Sequence, residues 1–255
     1  MSFSPLQARL YAATHLGTPG DLEYYQLQTA GAAAVLELGC GHGRLLQALA
    51  PATDRLVGLD QEPELLQLAR ARNLPHTEFL QRDLRDLPHS EAFEHVILAY
   101  NGLYCLPDSQ ALLDTFQAAH RALIPGGKFH LDIYPTEGLD EDAEAMDIPD
   151  NVIVDDPSAP TTELDVDGVH YTIWEGSLWD PHERTFEVEF RYVRDDEPDE
   201  GGVPLTIRHR YWPLPEIIAA AHDAGLQLVG QREGFGDDLP DDAPPQHVLT
   251  FARID

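Results

Sequence analysis

Val35-Leu36-Glu37-Leu38-Gly39-Cys40-Gly41-His42-Gly43-Arg44 is an apolar run that carries an acid and ends in three alternating glycines, and its reading decides the fold. Val35, Leu36 and Leu38 suit a strand buried on both faces, as in a parallel sheet. The glycines accept positive φ and let the main chain approach a ligand where a Cβ would collide. Leu45, Leu46 and Leu49 begin an apolar helical stripe. The unit therefore reads strand, tight turn, helix, with the free N–H groups of the helix facing the turn. A nucleotide-like cofactor suits such a turn.

The flanking segments repeat this unit. Arg55 to Asp60 reads as a second strand ending in an acid, at the distance where a βαβ unit delivers a carboxylate to a ribose. Pro63 to Arg70 is a crossover helix with proline near its first turn. Phe79 to Leu84 is a third strand and its exit, and Phe93 to Ala99 a fourth strand beside the first. Ser109 to Leu123 has the apolar spacing of a helix, closed by Pro125-Gly126-Gly127 as a reversal into the strand Lys128 to Tyr134. Pro215 to Leu226 is the last helix, and Leu226 to Arg232 with His247 to Arg253 a closing antiparallel pair.

The spacing of the glycines separates two cofactor classes. The dinucleotide fingerprint G-x-G-x-x-G needs a third glycine where Arg44 stands. G-x-G-x-G with Glu37 two positions ahead resembles motif I of the class I S-adenosylmethionine (SAM)-dependent methyltransferases, E/D-x-G-x-G-x-G, although His42 stands where that family most often has Thr. "L-x-P-G-G-x-(apolar)" at Leu123 to Phe129 and the final helix resemble the same family. The resemblance covers most of residues 30–134 and 213–255.

The resemblance implies a Rossmann-like α/β fold, with a seven-stranded, mostly parallel sheet whose last strand is antiparallel. It also implies contacts to SAM from Glu37, Gly39, Cys40, Gly41, Gly43 and Arg44. Asp60 would accept from the ribose hydroxyls and Gln61 lie along the adenosine. Asp83 would meet the adenine amino group, Leu84 lend a backbone N–H, and a carbonyl near Ala99 hold the methionine amino group. Tyr11 and the Asp21 to Tyr25 stretch resemble the N-terminal segment that folds over the methionine end in small-molecule methyltransferases, which makes Tyr11 and Tyr25 cofactor candidates; Ala12 replaces the first family Asp. Asn101, Tyr104, Asp132 and Tyr134 border the substrate side.

Residues 135–212 form an insertion outside every family motif. Its first part, through about Pro160, is acidic and loop-like. Val169 to Trp179, Arg184 to Arg194 and Pro204 to Trp212 read as antiparallel strands. Phe186, Val188, Phe190 and Tyr192 alternate with Glu187, Glu189 and Arg191, giving one apolar and one wet face. The domain expectation is an N-terminal helical cap over the cofactor (1–30), a SAM-binding core (31–134 and 213–255), and an inserted β lid or dimerisation subdomain (135–212).

The chain carries a net charge of −29, with Lys128 its only lysine. Such a surface repels phosphate backbones and anionic membranes, which argues against nucleic-acid and lipid substrates. The exit of the fourth strand lacks the D/N-P-P-Y signature of enzymes that methylate amide or nucleobase nitrogens. No segment has the apolar length to cross a bilayer or the form of a signal peptide, so the default compartment is the cytoplasm. Cys40 and Cys105 are too few for a disulfide framework, and neither they nor His89 and His95 have zinc-site spacing.

The expectation is therefore methyl transfer from SAM to a small-molecule nucleophile by in-line displacement, with S-adenosylhomocysteine as product. No metal is expected, and no residue declares itself as a general base. A homodimer is compatible with the inserted sheet. A nicotinamide-dependent oxidoreductase on a related fold and a non-catalytic SAM-binding or scaffold protein are the rival readings.

Overall fold

The computed structural model describes residues 2–87, 90–137, 139, 152–155, 159–198, 201–237, 239–240 and 243–254. The chain divides into two compact units. One holds α2 (Asp21–Gln28), β1 (Ala34–Leu38), α3 (Arg44–Leu49), β2 (Arg55–Asp60), α4 (Pro63–Ala71), β3 (Thr77–Gln81), β4 (Phe93–Leu98), α5 (Ser109–Ala122), β5 (Leu123–Ile133), α6 (Leu214–Asp223), β11 (Leu226–Glu233) and β12 (His247–Arg253). The other holds α1 (Pro5–Thr14), β6 (Val152–Asp155), β7 (Thr162–Val166), β8 (Val169–Asp180), β9 (Thr185–Arg194) and β10 (Val203–Arg210).

The first unit is built on a seven-stranded sheet in the order β11-β12-β5-β4-β1-β2-β3. β1 pairs in parallel with β2 and β4, β2 with β3, and β4 with β5, while the last strand, β12, runs antiparallel between β5 and β11. Val35, Leu36 and Leu38 of β1 are fully buried, as a central parallel strand requires. Leu45, Leu46 and Leu49 of α3 pack with Val35, Leu56, Leu66 and Ile97 in one core cluster. Each such side chain contributes about 1.5–3 kcal/mol through removal from water. A second aromatic group lies between α5 and the sheet, where the Phe116 ring centroid is 5.7 Å from that of Phe129 and 5.8 Å from that of Phe251.

One local reading is corrected. β5 begins directly at Leu123, so Pro125-Gly126-Gly127 is an irregularity within the strand rather than a turn before it; the register against β4 slips between Phe93 and His95. Gly127 is needed there because a Cβ would come within 3.1 Å of the Glu94 carbonyl oxygen. α2 begins at Asp21 after Gly20, its N-cap in the left-handed region (φ 84°), and the Asp21 carboxyl accepts from the Thr18 N–H at 3.3 Å.

The second unit is an antiparallel sheet in the order β10-β9-β8-β6, with β7 pairing the first half of β8. β6 falls in a stretch whose composition reads as loop; residues 140–151 and 156–158 lie outside the described residues. In β9, Tyr192 is buried and Glu189 and Arg191 are exposed, which follows the alternation in the sequence. The apolar face is covered by α1: Leu10 is buried among Val166, Tyr171, Ile173, Tyr192 and Leu205, with Phe3, Leu6, Tyr11 and Ala13 around them. Thr14 Oγ1 lies 2.8 Å from the Tyr192 hydroxyl, and Gln7 Nε2 donates to the Pro204 carbonyl at 2.7 Å. The N-terminal segment thus divides differently from the expected 1–30 cap, since residues 3–15 group with the inserted sheet and α2 with the parallel sheet. No helix among the described residues is long and apolar enough to cross a membrane.

Candidate cofactor site

The site grows from the turn between β1 and α3. Gly39, Gly41 and Gly43 all take left-handed φ, at 66°, 52° and 76°. Their duties differ. A Cβ on Gly41 would meet no protein atom within 4 Å, and one on Gly39 only Leu98 Cδ1 at 3.9 Å, so these two line open space. A Cβ on Gly43 would stand 3.1 Å from Ala69 Cβ, so this glycine serves the packing of the turn on α4. Cys40 points inward, where its thiol would lie 2.8 Å from a Cβ on Gly58, and burial raises its pKa well above the usual thiol range.

Asp60 ends β2 beside this turn. Its Oδ2 accepts from the Gly41 N–H at 2.7 Å and its Oδ1 from the Glu62 N–H at 2.8 Å, so the carboxylate holds the turn in shape. Burial raises its pKa, and those two N–H groups oppose the shift. Each oxygen retains a lone pair for a further donor. The next residue, Gln61, is exposed, and its carbonyl accepts from Gln81 Nε2 at 3.3 Å. At the exit of β3, Asp83 is gripped by Arg85 through Nε at 2.8 Å and Nη2 at 2.6 Å, which holds the carboxyl below its usual range; Leu84 follows in the turn, half-buried.

The exits of β4 and β5 are braced by one another. Tyr100 and Asn101 both adopt left-handed φ, at 56° and 57°, a conformation that non-glycine residues hold only when their surroundings fix it. The Asp132 carboxyl supplies that constraint by accepting the Tyr100 N–H at 2.9 and 3.0 Å, while the Asp132 carbonyl accepts the Asn101 N–H at 3.2 Å. Asn101 Oδ1 accepts from the Tyr134 N–H at 2.7 Å, and the Tyr104 hydroxyl donates to the Tyr134 carbonyl at 3.1 Å. The Ala99 carbonyl accepts the Gly102 N–H at 3.1 Å. Tyr25 reaches in from α2 to donate to Asp132 Oδ1 at 2.5 Å. Burial, the leading cause, pushes the Asp132 carboxyl up to about 6 against the hydrogen bonds from Tyr25 and Tyr100.

Glu37 and Arg44 complete the electrostatics. Arg44 is the first residue of α3, and its guanidinium lies over Gly17 and grips Asp21 of α2 at 2.9 and 2.5 Å. Glu37 is 5% exposed, and its Oε2 has no hydrogen-bond partner. Burial lifts its carboxyl to about 8; Arg44 and the Leu46 N–H pull the other way, and Asp60 and Asp21 add to the rise.

Of the sequence-predicted residues, the structure gathers Tyr25, Glu37, Gly39, Gly41, Arg44, Asp60, Ala99, Asn101, Tyr104, Asp132 and Tyr134 into the first unit, most of them on strand exits and the helices beside them. Tyr11 belongs to the second unit, where its ring stacks on His15 at 3.9 Å. Arg72 escaped the sequence reading. From the end of α4 it donates through Nε to the His42 carbonyl at 2.7 Å and lies with Nη2 2.7 Å from His42 Nδ1, clamping the turn from outside. Nothing in the local pattern marks an arginine 30 residues away as a partner of that turn. His95 meets His130 rather than a metal, and His89 lies outside the described residues. Among the described residues, no group of three or more His, Cys, Asp or Glu side chains is placed to hold a metal ion.

A parallel sheet with an antiparallel last strand, an open glycine turn behind its central strand, and carboxylates at the exits of β1, β2 and β3 define the class I SAM-dependent methyltransferases. The chain shares that architecture. Residues 35–127 match the family model described as "Methyltransferase domain". Putative methyltransferase YqeM of Bacillus subtilis is 27% identical over 219 residues, which is 81% of this chain and 78% of that one. The cypemycin N-terminal methyltransferase of a Streptomyces species is 33% identical over 38% of this chain and 40% of its own length. Among solved structures, the CcbJ methyltransferase from Streptomyces caelestis shares the fold with a TM-score of 0.72 and 23% identity, over 94% of this chain and 92% of that one.

The site fits SAM. Gly39 and Gly41 leave room for a ligand against the main chain, and a buried carboxyl oxygen without a donor stands beside them. SAM carries an ammonium and a sulfonium, and Glu37, Asp60, Asp132 and Asp21 supply the complementary charge.

Proposed function

We propose that the chain methylates a small-molecule nucleophile, with the cofactor held along the carboxyl ends of β1, β2 and β3. Bound there, SAM supplies an electrophilic methyl group on a sulfonium sulfur. Glu37 meets the ammonium, Asp60 the ribose, and Asp83 with the Leu84 N–H the adenine. The open main chain at Gly39 and Gly41 carries this reading, since a Cβ at either position would protrude into the ligand's space. Asp132 fixes the Tyr100–Asn101 turn, which sets where Asn101 and the Ala99 carbonyl stand. Placement of this kind can supply about 7–11 kcal/mol of a displacement barrier.

The small-molecule acceptor is supported by two features. The net charge of −29 opposes a polyanionic substrate. CalS10 from Micromonospora echinaspora, described as an amino pentose methyltransferase, shares the fold over the full chain. The test is release of S-adenosylhomocysteine from SAM across a panel of small amines, hydroxyl compounds and acids, beside a nucleic-acid panel. Turnover on the nucleic acids alone overturns the assignment, and tight SAM binding with no turnover on either panel favours a non-catalytic binding protein.

A further inference from the structure

We propose that Glu37 carries a proton in the cofactor-free protein and releases it to solvent when the ammonium at the methionine end of the cofactor arrives, so that cofactor binding is coupled to deprotonation of this one side chain. The inference rests on the SAM reading above and adds to it a change in charge state.

The geometry around the carboxyl carries the argument. Glu37 is 5% exposed, on the buried central strand, and its Oε2 has no hydrogen-bond partner. The charged and titratable groups around it come from three elements. From α3, Arg44 attracts an anion, but both of its terminal nitrogens grip Asp21 of α2. Asp21 itself and Asp60 of β2 repel an anion. Cys40, in the turn, is held as the neutral thiol. The Leu46 N–H of α3 favours the anion. One N–H and one shared guanidinium stand against burial and two carboxylates.

A buried anion left without full hydrogen bonding is far costlier than a neutral acid with one unpaired hydroxyl, which costs about 1–3 kcal/mol. The neutral form therefore occupies the empty site, in keeping with the upward displacement of this carboxyl by burial. An arriving ammonium reverses the balance, because it supplies both a counter-charge and donors to Oε2. The exchange balances: the carboxylic acid becomes a carboxylate paired to the ammonium, and the proton passes to buffer.

The experiment is isothermal titration calorimetry of the full chain with S-adenosylhomocysteine, which keeps the ammonium and lacks the sulfonium. Runs at about pH 6.5 in two buffers of different ionisation enthalpy count the protons exchanged, and about 0.5–1 proton released per ligand is expected. Affinity should rise up to about tenfold per pH unit below about pH 7. 5′-Methylthioadenosine keeps the adenine and ribose but has no ammonium, and should bind with no release. Glu37→Gln should bind S-adenosylhomocysteine more weakly, with no release and little dependence on pH. Binding without proton release, equal release with 5′-methylthioadenosine, or release that persists in a folded Glu37→Gln variant each overturns the proposal while leaving the SAM reading in place. The wild-type comparison of the two ligands decides the matter even if the variant does not fold. A folded wild-type protein that binds neither ligand overturns the SAM reading, and this proposal with it.

Discussion

The Tyr25 hydroxyl donates to Asp132 Oδ1 at 2.5 Å, and the same carboxyl receives the Tyr100 N–H at 2.9 Å, so one buried anion ties α2 to the exit of β4. Tyr25→Phe keeps the ring contacts with Tyr24 and Phe235 and removes one hydrogen bond to a charged acceptor. The expected loss in chemical denaturation is about 1.5–3 kcal/mol. Asp132→Ala should lose more, because it leaves both the Tyr25 hydroxyl and the Tyr100 N–H without their acceptor. The opposite ranking would show that Asp132 is a net burden on the fold and that Tyr25 stabilises through packing alone.

Two glycines of the first unit should respond in opposite ways. Gly58 lies in β2, where a Cβ would stand 2.6 Å from Leu46 Cδ1 and 2.8 Å from Cys40 Sγ, so Gly58→Val should not fold. A Cβ on Gly41 meets nothing within 4 Å, although its φ of 52° imposes strain. Gly41→Val should therefore melt only moderately below wild type, with about 1–2 kcal/mol lost to backbone strain, and should fail to bind S-adenosylhomocysteine. A folded Gly41→Val that binds with wild-type affinity removes the argument for close approach.

His95 Nδ1 lies 2.9 Å from His130 Nε2, and His130 Nδ1 lies 3.1 Å from Thr250 Oγ1, a side-chain chain across β4, β5 and β12. Burial lowers the pKa of His130 from 6.5 to about 3, with His95 and Lys128 adding to the fall. It lowers His95 as well; Lys128 adds to that shift and Glu94 opposes it. The unfolded chain thus binds more protons than the folded one. Stability is fully present above about pH 6.5 and declines as the pH falls through the window down to about 3. His130→Gln should be less stable than wild type at neutral pH and show a shallower loss between about pH 6 and 4. Equal slopes in denaturation midpoints over that range would place the acid sensitivity elsewhere.

The sequence made the strand–turn–helix unit legible because its signals are local: apolar residues of β1, glycines at fixed offsets, and an acid at the end of β2. The same locality limited the reading. That Asp60 holds the Gly41 N–H, that Cys40 points away from the turn toward Gly58, and that Arg85 grips Asp83 depend on side-chain direction and on pairings that spacing does not encode. Tyr25 read as a cofactor contact, yet its hydroxyl is committed to Asp132, 107 residues further on. The start of β5 read five residues too late because a bulge lets Leu123 to Gly127 remain alongside β4.

Arg72 is the clearest case of a contact that only the folded chain reveals. Its guanidinium takes the His42 carbonyl and lies beside the His42 ring from one side of the turn, a fork that an ammonium does not reproduce. Arg72→Lys should lower affinity for S-adenosylhomocysteine by about tenfold while shifting the melting temperature little, since the residue sits at the partly exposed end of α4. If binding is unchanged, the turn holds its shape through Asp60 alone.

The last expectation concerns α1. The alternation of Phe186, Val188, Phe190 and Tyr192 announces an apolar sheet face, but the cover over Val166, Tyr171, Ile173, Tyr192 and Leu205 comes from Leu10 and its neighbours, more than 150 residues earlier in the chain. Leu10 is fully buried. Leu10→Ala should therefore remove about 2–5 kcal/mol, the range for a buried leucine whose cavity collapses to varying degrees. Amide hydrogen exchange locates the effect. Amides of β7, β8, β9 and β10 should exchange faster in the variant, and those of β1, β2 and β4 should keep their wild-type protection, because Leu10 belongs to the second unit. Were the N-terminal segment first of all a cap over the cofactor, Leu10→Ala would instead weaken S-adenosylhomocysteine binding and leave exchange in β7 to β10 unchanged.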